Sequence, residues 1–137
     1  PDVADILNRI RQPFNINSMA LAAAVAVLDD QDYLNKSVEI NQVGYQQLTS
    51  RFIQLGLSFI PSAGNFVAVE VPDALFLYQK LLEQGVIVRP ISLYDMPNHL
   101  RISIGLPEEN QRFLDVLAEL LGFGSDSFAN DCSGGQS

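Results

Sequence analysis

The apolar positions of the chain follow helical spacing in its first half. Apolar residues three or four apart predict a short amphipathic helix over residues 2–10. The alanine-rich run 19–28 predicts a second helix, capped by Asn17 or Ser18 and buried on most sides. A third, long helix is predicted to begin in the acidic stretch 29–32 and to end at Gly56, a residue suited to a left-handed C-terminal cap.

Strand signals dominate the second half of the chain. Residues 65–71 predict a strand with two distinct faces, Phe66, Ala68 and Glu70 on one and Val67, Val69 and Val71 on the other. Shorter runs at 57–60, 86–88 and 102–104 also predict strands. Helices are predicted over 74–84 and after Pro107, where apolar residues line one face. This order predicts an α+β fold: a small antiparallel or mixed sheet with helices mostly on one face, preceded by a long helix.

Composition narrows the class of protein. The chain is 47% apolar and 18% charged, which is typical of a globular domain, and its net charge of -8 argues against nucleic-acid and anionic-membrane partners. Its longest apolar run is too short to span a bilayer. The single cysteine, Cys132, excludes an internal disulfide and agrees with a cytoplasmic location. It lies in a Gly- and Ser-rich segment, 122–137, that we expect to be a flexible tail.

The chain offers little reactive chemistry. Its one histidine, His99, lies beside a predicted strand, where we favour a structural role over a general base. One histidine and one cysteine cannot form the usual zinc site. No glycine-rich phosphate-binding motif occurs. We therefore predict no catalytic residue and no metal site in this chain.

Two arginines stand out because basic residues are scarce, with eight Lys and Arg against sixteen Asp and Glu. Arg89 and Arg101 each lie at the loop-facing end of a predicted strand. A guanidinium binds carboxylate and phosphate groups in a planar, bidentate arrangement. The residues alone leave two interpretations open: each arginine pairs with a surface acid, or the two together bind an anionic ligand.

Five segments resemble the C-terminal third of the histidinol-phosphate aminotransferase family, in the same order and at the same spacings. They are RQPFNINS, IPSAGNF, GVIVRP, YDMPNHLRISIG and PEENQRFL. The likeness runs from residue 1 to about 121. It implies part of a fold type I, pyridoxal-5'-phosphate-dependent homodimer that transfers an amino group between histidinol phosphate and 2-oxoglutarate or glutamate in histidine biosynthesis. Residues 1–30 would then end the large cofactor domain and form a linker, and 31–121 would form the small domain.

The resemblance also assigns roles to individual residues. Arg101 matches an arginine that binds the amino-acid carboxylate or the substrate phosphate, and Arg89 matches a second arginine that contacts the phosphate. By the resemblance, Arg11, Asn15 and Asn17 lie in a linker near the active site and the subunit boundary.

The family's Schiff-base lysine has no counterpart here. The chain has two lysines, Lys36 and Lys80, and neither lies in a matching motif. We therefore expect the chain by itself to be inactive. Two alternatives stay open: a sister activity of the same fold, such as an aromatic aminotransferase or a phospho-amino-acid decarboxylase, and a stand-alone α+β module that binds anions.

Overall fold

The computed structural model describes residues 2–11 and 15–123. The five helices of this part are α1 (Asp2–Ile10), α2 (Ser18–Leu28), α3 (Gln31–Gln54), α4 (Ala74–Glu83) and α5 (Pro107–Leu120). The four strands are β1 (Phe59–Ile60), β2 (Phe66–Glu70), β3 (Arg89–Pro90) and β4 (His99–Ser103), and a 3-10 turn spans Ser92–Tyr94. The predicted tail falls almost entirely on residues 124–137, outside the described part.

The chain divides into two compact units, Pro1–Val38 and Glu39–Ser137. In the first unit, Asn17 caps α2 as predicted, because its side chain accepts a hydrogen bond of 2.8 Å from the Ala20 N–H. The prediction that α2 is buried on most sides was wrong for this chain, since α2 contains no buried residue. An apolar helix is buried only where another surface covers it, and no element of this unit does so.

In the second unit, α3 packs closely on the connection between β4 and α5. Gly44 is buried there, and a Cβ atom at this position would lie 2.5 Å from Ile104 Cγ2 and 2.9 Å from Asn110 Nδ2. The buried Asn110 side chain accepts from the Gly105 N–H and donates to the Gly105 carbonyl and to Gln47 Oε1. Because Gly44 has no side chain, α3 can approach the Asn110 side chain closely. The buried polar groups of Asn110 are paired by their hydrogen bonds with Gly105 and Gln47.

The sheet is antiparallel throughout, with strand order β1-β2-β4-β3. In its two central strands, Val67 lies opposite Ile102 and Val69 opposite Leu100, and all four are buried. They form one hydrophobic core with residues of α3, α4 and α5, including Leu48, Phe52, Leu77, Leu81, Phe113 and Leu117. The helices therefore cover one face of the sheet, and the predicted α+β class is confirmed.

The predicted strand at 86–88 is not formed, and the ladder between β3 and β4 contains only residues 89–90 on the β3 side. The reason lies in the end of α4: Gly85 adopts φ +74°, and the Val86 N–H donates to the Leu81 carbonyl at 2.8 Å. The backbone at Val86 thus closes the helix instead of joining the sheet. A cavity of about 400 Å³ is lined by residues 85–88 on one side and by 102, 103 and 105 on the other.

We predict that Gly44→Ala lowers the free energy of unfolding by about 1–3 kcal/mol, because the added methyl overpacks the contact with Ile104 and Asn110. Glycine-to-alanine exchange at an uncrowded helical position stabilises instead, by about 1 kcal/mol, so the two cases differ in sign. Urea unfolding followed by circular dichroism measures the change. Ser50→Ala, at an exposed position of the same helix, is the control and should stay within about 0.5 kcal/mol. A stabilised Gly44→Ala protein would contradict the close packing.

Candidate functional site

The two arginines singled out in the sequence lie directly opposite each other. Arg89 of β3 is the antiparallel partner of Arg101 of β4. Residues in this relation project from the same face of a sheet, with Cβ atoms about 4.5–5.5 Å apart. Because the neighbours Leu100 and Ile102 point into the core, Arg101 projects from the face that the helices leave open. The register therefore makes Arg89 and Arg101 neighbours on that face of the sheet.

Neither arginine is neutralised by an acid within residues 2–11 and 15–123. The ion pairs in this part of the chain are Arg9–Asp5 and Lys80–Glu83, both on helices. The interpretation in which each arginine pairs with a surface acid therefore has no support among these residues. Like charges directly opposite each other destabilise a strand pair, so the arrangement favours an anion that binds between them.

Arg101 has a second neighbour on the open face. Its Cζ atom lies 5.3 Å from the ring centroid of Phe66, within the range of a cation–π interaction. Phe66 belongs to β2, where it lies opposite Ser103, and Ala68 lies opposite Arg101. Sequence reasoning placed Phe66 and Ala68 on the same strand face but did not connect that face to the arginine.

His99 lies on the same face of β4 as Arg101, opposite Glu70 of β2. Its Nδ1 atom is buried and makes no hydrogen bond in the described part of the chain. His99 thus belongs to the candidate site, although the sequence placed it only in a loop or at a strand start. No cluster of three side chains that could bind a metal ion occurs in residues 2–11 and 15–123.

The linker residues belong to the first unit of the chain, whereas the two arginines belong to the second. The Asn17 side chain is used to cap α2, whereas Arg11 and Asn15 are exposed. The part of the linker between Arg11 and Asn15, residues 12–14, lies outside the described residues. A role for these residues at an active-site or subunit boundary stays a prediction.

Neither lysine fits covalent attachment of a pyridoxal cofactor. Such a lysine needs a shaped pocket that removes it from water. Lys36 is exposed on α3, and Lys80 binds Glu83 at 2.8 Å with 40% of its side chain exposed.

Across residues 2–11 and 15–123 no helix is both long and apolar enough to cross a membrane.

The sequence matches a known protein family. The sequence pattern of the family described as aminotransferase class I and II matches residues 1–117. The chain belongs to this family. It is 58% identical over 121 residues to a histidinol-phosphate aminotransferase from Methylobacillus flagellatus, covering 88% of this chain and 33% of that protein. It is 61% identical over 120 residues to histidinol-phosphate aminotransferase 2 of Pseudomonas aeruginosa, covering 87% of this chain and 32% of that protein.

Solved structures agree with these relatives. The crystal structure of histidinol-phosphate aminotransferase from Sinorhizobium meliloti in complex with pyridoxal-5'-phosphate matches with a TM-score of 0.70 and 29% identity, over 89% of this chain and 35% of that one. The resemblance found in the sequence is confirmed. The chain spans about a third of the length of the curated relatives that it matches.

We predict that Arg89→Gln raises the free energy of unfolding by about 0.2–0.5 kcal/mol at low salt, because it relieves repulsion between the exposed Arg89 and the half-buried Arg101. The gain should shrink at high salt, where the repulsion is screened. Urea unfolding at two ionic strengths measures both effects. Arg112→Gln is the matched control: Arg112 donates to the Gln84 carbonyl at 3.0 Å, so its loss should destabilise the fold. Destabilisation by Arg89→Gln would indicate a structural role instead.

Proposed function

We propose that this chain is the C-terminal portion of a histidinol-phosphate aminotransferase, in which Arg89 and Arg101 bind the anionic groups of the substrates. The observation that carries the proposal is the register between β3 and β4, which makes the two arginines direct partners on the open face of the sheet. The identity of 58–61% to curated histidinol-phosphate aminotransferases supports the choice within the family.

The arginine pair suits both substrates of such a reaction. A phosphate monoester carries a charge of about -1.5 to -2 at neutral pH and three strong acceptor oxygens, enough for two guanidinium groups. Glutamate and 2-oxoglutarate carry carboxylates, which a guanidinium binds in the same planar geometry. One site can therefore bind histidinol phosphate, release the ketone that remains after its amino group has been transferred, and then bind the 2-oxo acid that accepts this group. Two charged residues that are fixed to neighbouring strands also orient the bound molecule.

The cofactor of the longer enzyme is pyridoxal 5'-phosphate, which acts as an electron sink when bound. The described residues do not provide its lysine, so we assign this chain to substrate binding and place the cofactor's lysine outside these 137 residues. Residues 1–30 then complete the cofactor domain and its linker, 31–121 form the small domain, and 122–137 form the tail. The longer enzyme is a cytoplasmic homodimer, with Arg11, Asn15 and Asn17 near its active-site boundary.

We predict that Arg101→Gln in the full-length enzyme weakens binding of histidinol phosphate by about 10- to 100-fold, because it removes charge-assisted hydrogen bonds. The change in the visible absorption of the bound cofactor, titrated with histidinol phosphate, measures the affinity. Arg51→Gln is the control: Arg51 lies on α3 rather than on the sheet, and its loss should change the affinity by no more than about twofold. An Arg101→Gln enzyme with unchanged affinity would refute the proposed site.

Titration with aromatic amino acids would distinguish the sister activities of the fold.

We also predict that the 137-residue chain alone transfers no amino group, since neither of its lysines lies in a suitable pocket. Glutamate formation from histidinol phosphate, 2-oxoglutarate and added pyridoxal phosphate is the measurement. A time course of glutamate formation above that of free cofactor would contradict this prediction.

Binding of inorganic phosphate by the longer protein, with no response to histidinol phosphate, would favour the anion-binding module.

A further inference from the structure

We infer that Phe66 is a positioning residue for substrate binding, which holds the Arg101 guanidinium in the orientation that receives the anion. The inference rests on the proposed role of Arg101 and extends it to a residue on another strand. It follows from a contact that the pairing of β2 with β4 creates and that no motif in the sequence indicates.

The register explains how the two side chains meet. On the open face, Ala68 is the direct partner of Arg101, and Phe66 lies two residues before Ala68 on the same strand. Phe66 and Arg101 are therefore diagonal neighbours, a separation that long and aromatic side chains can bridge. Ala68, between them, has a short side chain, which leaves room for the Arg101 side chain to extend toward Phe66. Ala68 is itself buried, with 8% of its surface exposed.

The ring of Phe66 has no evident role in the core. It is 39% exposed and does not belong to the buried cluster, nor to the partly buried side chains packed against that cluster. Its ring contact is instead with Arg101, whose Cζ atom lies 5.3 Å from the ring centroid.

The turn before β2 fixes the position of the ring. A Cβ atom at Gly64 would lie 3.3 Å from Phe66 Cε1, so the ring rests against the backbone of this turn. The turn is itself held on both sides, because the Gly64 N–H donates to Ser62 Oγ at 3.1 Å and Asn41 Nδ2 donates to the Gly64 carbonyl at 3.3 Å. The turn that borders the Phe66 ring is therefore anchored to α3.

The contact with the ring leaves the donors of Arg101 available. A cation–π contact is an attraction to the ring face and needs no acceptor atom, so the guanidinium N–H groups can still bind a phosphate or carboxylate in a bidentate manner. An arginine already restrained by an aromatic surface also loses less side-chain freedom when the ligand binds. Phe66 thus increases affinity for the anion without contacting it.

The test varies the electron density of the ring while its shape is kept. In the full-length enzyme, Phe66→Leu should weaken histidinol phosphate binding by about two- to fivefold, and Phe66→Tyr should restore it. Stepwise fluorination of the Phe66 ring should weaken binding step by step, because fluorine withdraws the negative charge from the ring face. A ring that acts only by filling space would give no such gradient. Phe76→Leu, at an exposed phenylalanine on α4, is the matched control and should leave affinity unchanged.

A ligand-free measurement separates this inference from the proposed function. In NMR spectra of the 137-residue chain, Phe66→Leu should remove the ring-current shift of the Arg101 side chain and speed rotation of its guanidinium, whereas Phe76→Leu should do neither. If Arg101→Gln does not weaken substrate binding, the proposed site fails, whatever Phe66 does. If Arg101→Gln weakens binding while the Phe66 variants change neither affinity nor guanidinium rotation, the positioning role is refuted and the proposed function stands.

Discussion

The antiparallel pairing of β2 with β4 is the constraint on which both the core and the candidate site depend. Side chains alternate between the faces of a strand, so the register that opposes Val67 to Ile102 also opposes Ala68 to Arg101. A shift of one residue would move the apolar set of a strand to the open face and its arginine into the core. The hydrophobic free energy of the core thus holds the charged residues on the face where a ligand can reach them.

The site carries an electrostatic cost that the fold tolerates. Arg89 and Arg101 occupy directly opposite positions on β3 and β4. Within the described part of the chain, no acidic side chain forms an ion pair with either arginine. The Phe66 ring offers Arg101 an attraction that does not neutralise it, because a cation–π contact leaves the positive charge in place. The protein's net charge of -8 makes this local positive site more distinct from the rest of the surface.

Local patterns in the sequence predicted most elements, because caps and periodicity are properties of short segments. Asn17, Gly56 and the alternation over 65–71 all predicted features that the structure contains. The sequence also marked Arg89 and Arg101 as unusual, but their direct pairing depends on the register between strands separated by a loop. The strand predicted at 86–88 failed for a similar reason: its apolar pattern competes with the closing hydrogen bond of α4, and the closing bond prevailed.

Phe66 shows most clearly where single-sequence reasoning stops. Its alternation with Val67 was visible, and an aromatic residue on the polar side of a strand was an available signal. What the ring contacts, however, is decided by a residue 35 positions further along the chain, as the numbers of Phe66 and Arg101 show. The prediction that α2 is buried failed for a different reason. An apolar helix is buried only when another surface covers it, and no such surface is provided within the first unit.

The brevity of the two outer strands has a consequence for how the sheet behaves toward other chains. β1 and β3 each contain two residues, and Pro90 in β3 has no N–H to donate. An edge strand recruits foreign strands through a row of unpaired N–H and carbonyl groups, and short or proline-containing edges offer few of them. The sheet that presents the arginines to solvent is thereby protected from growing by strand addition, so its open face can stay exposed without making its borders sites of aggregation.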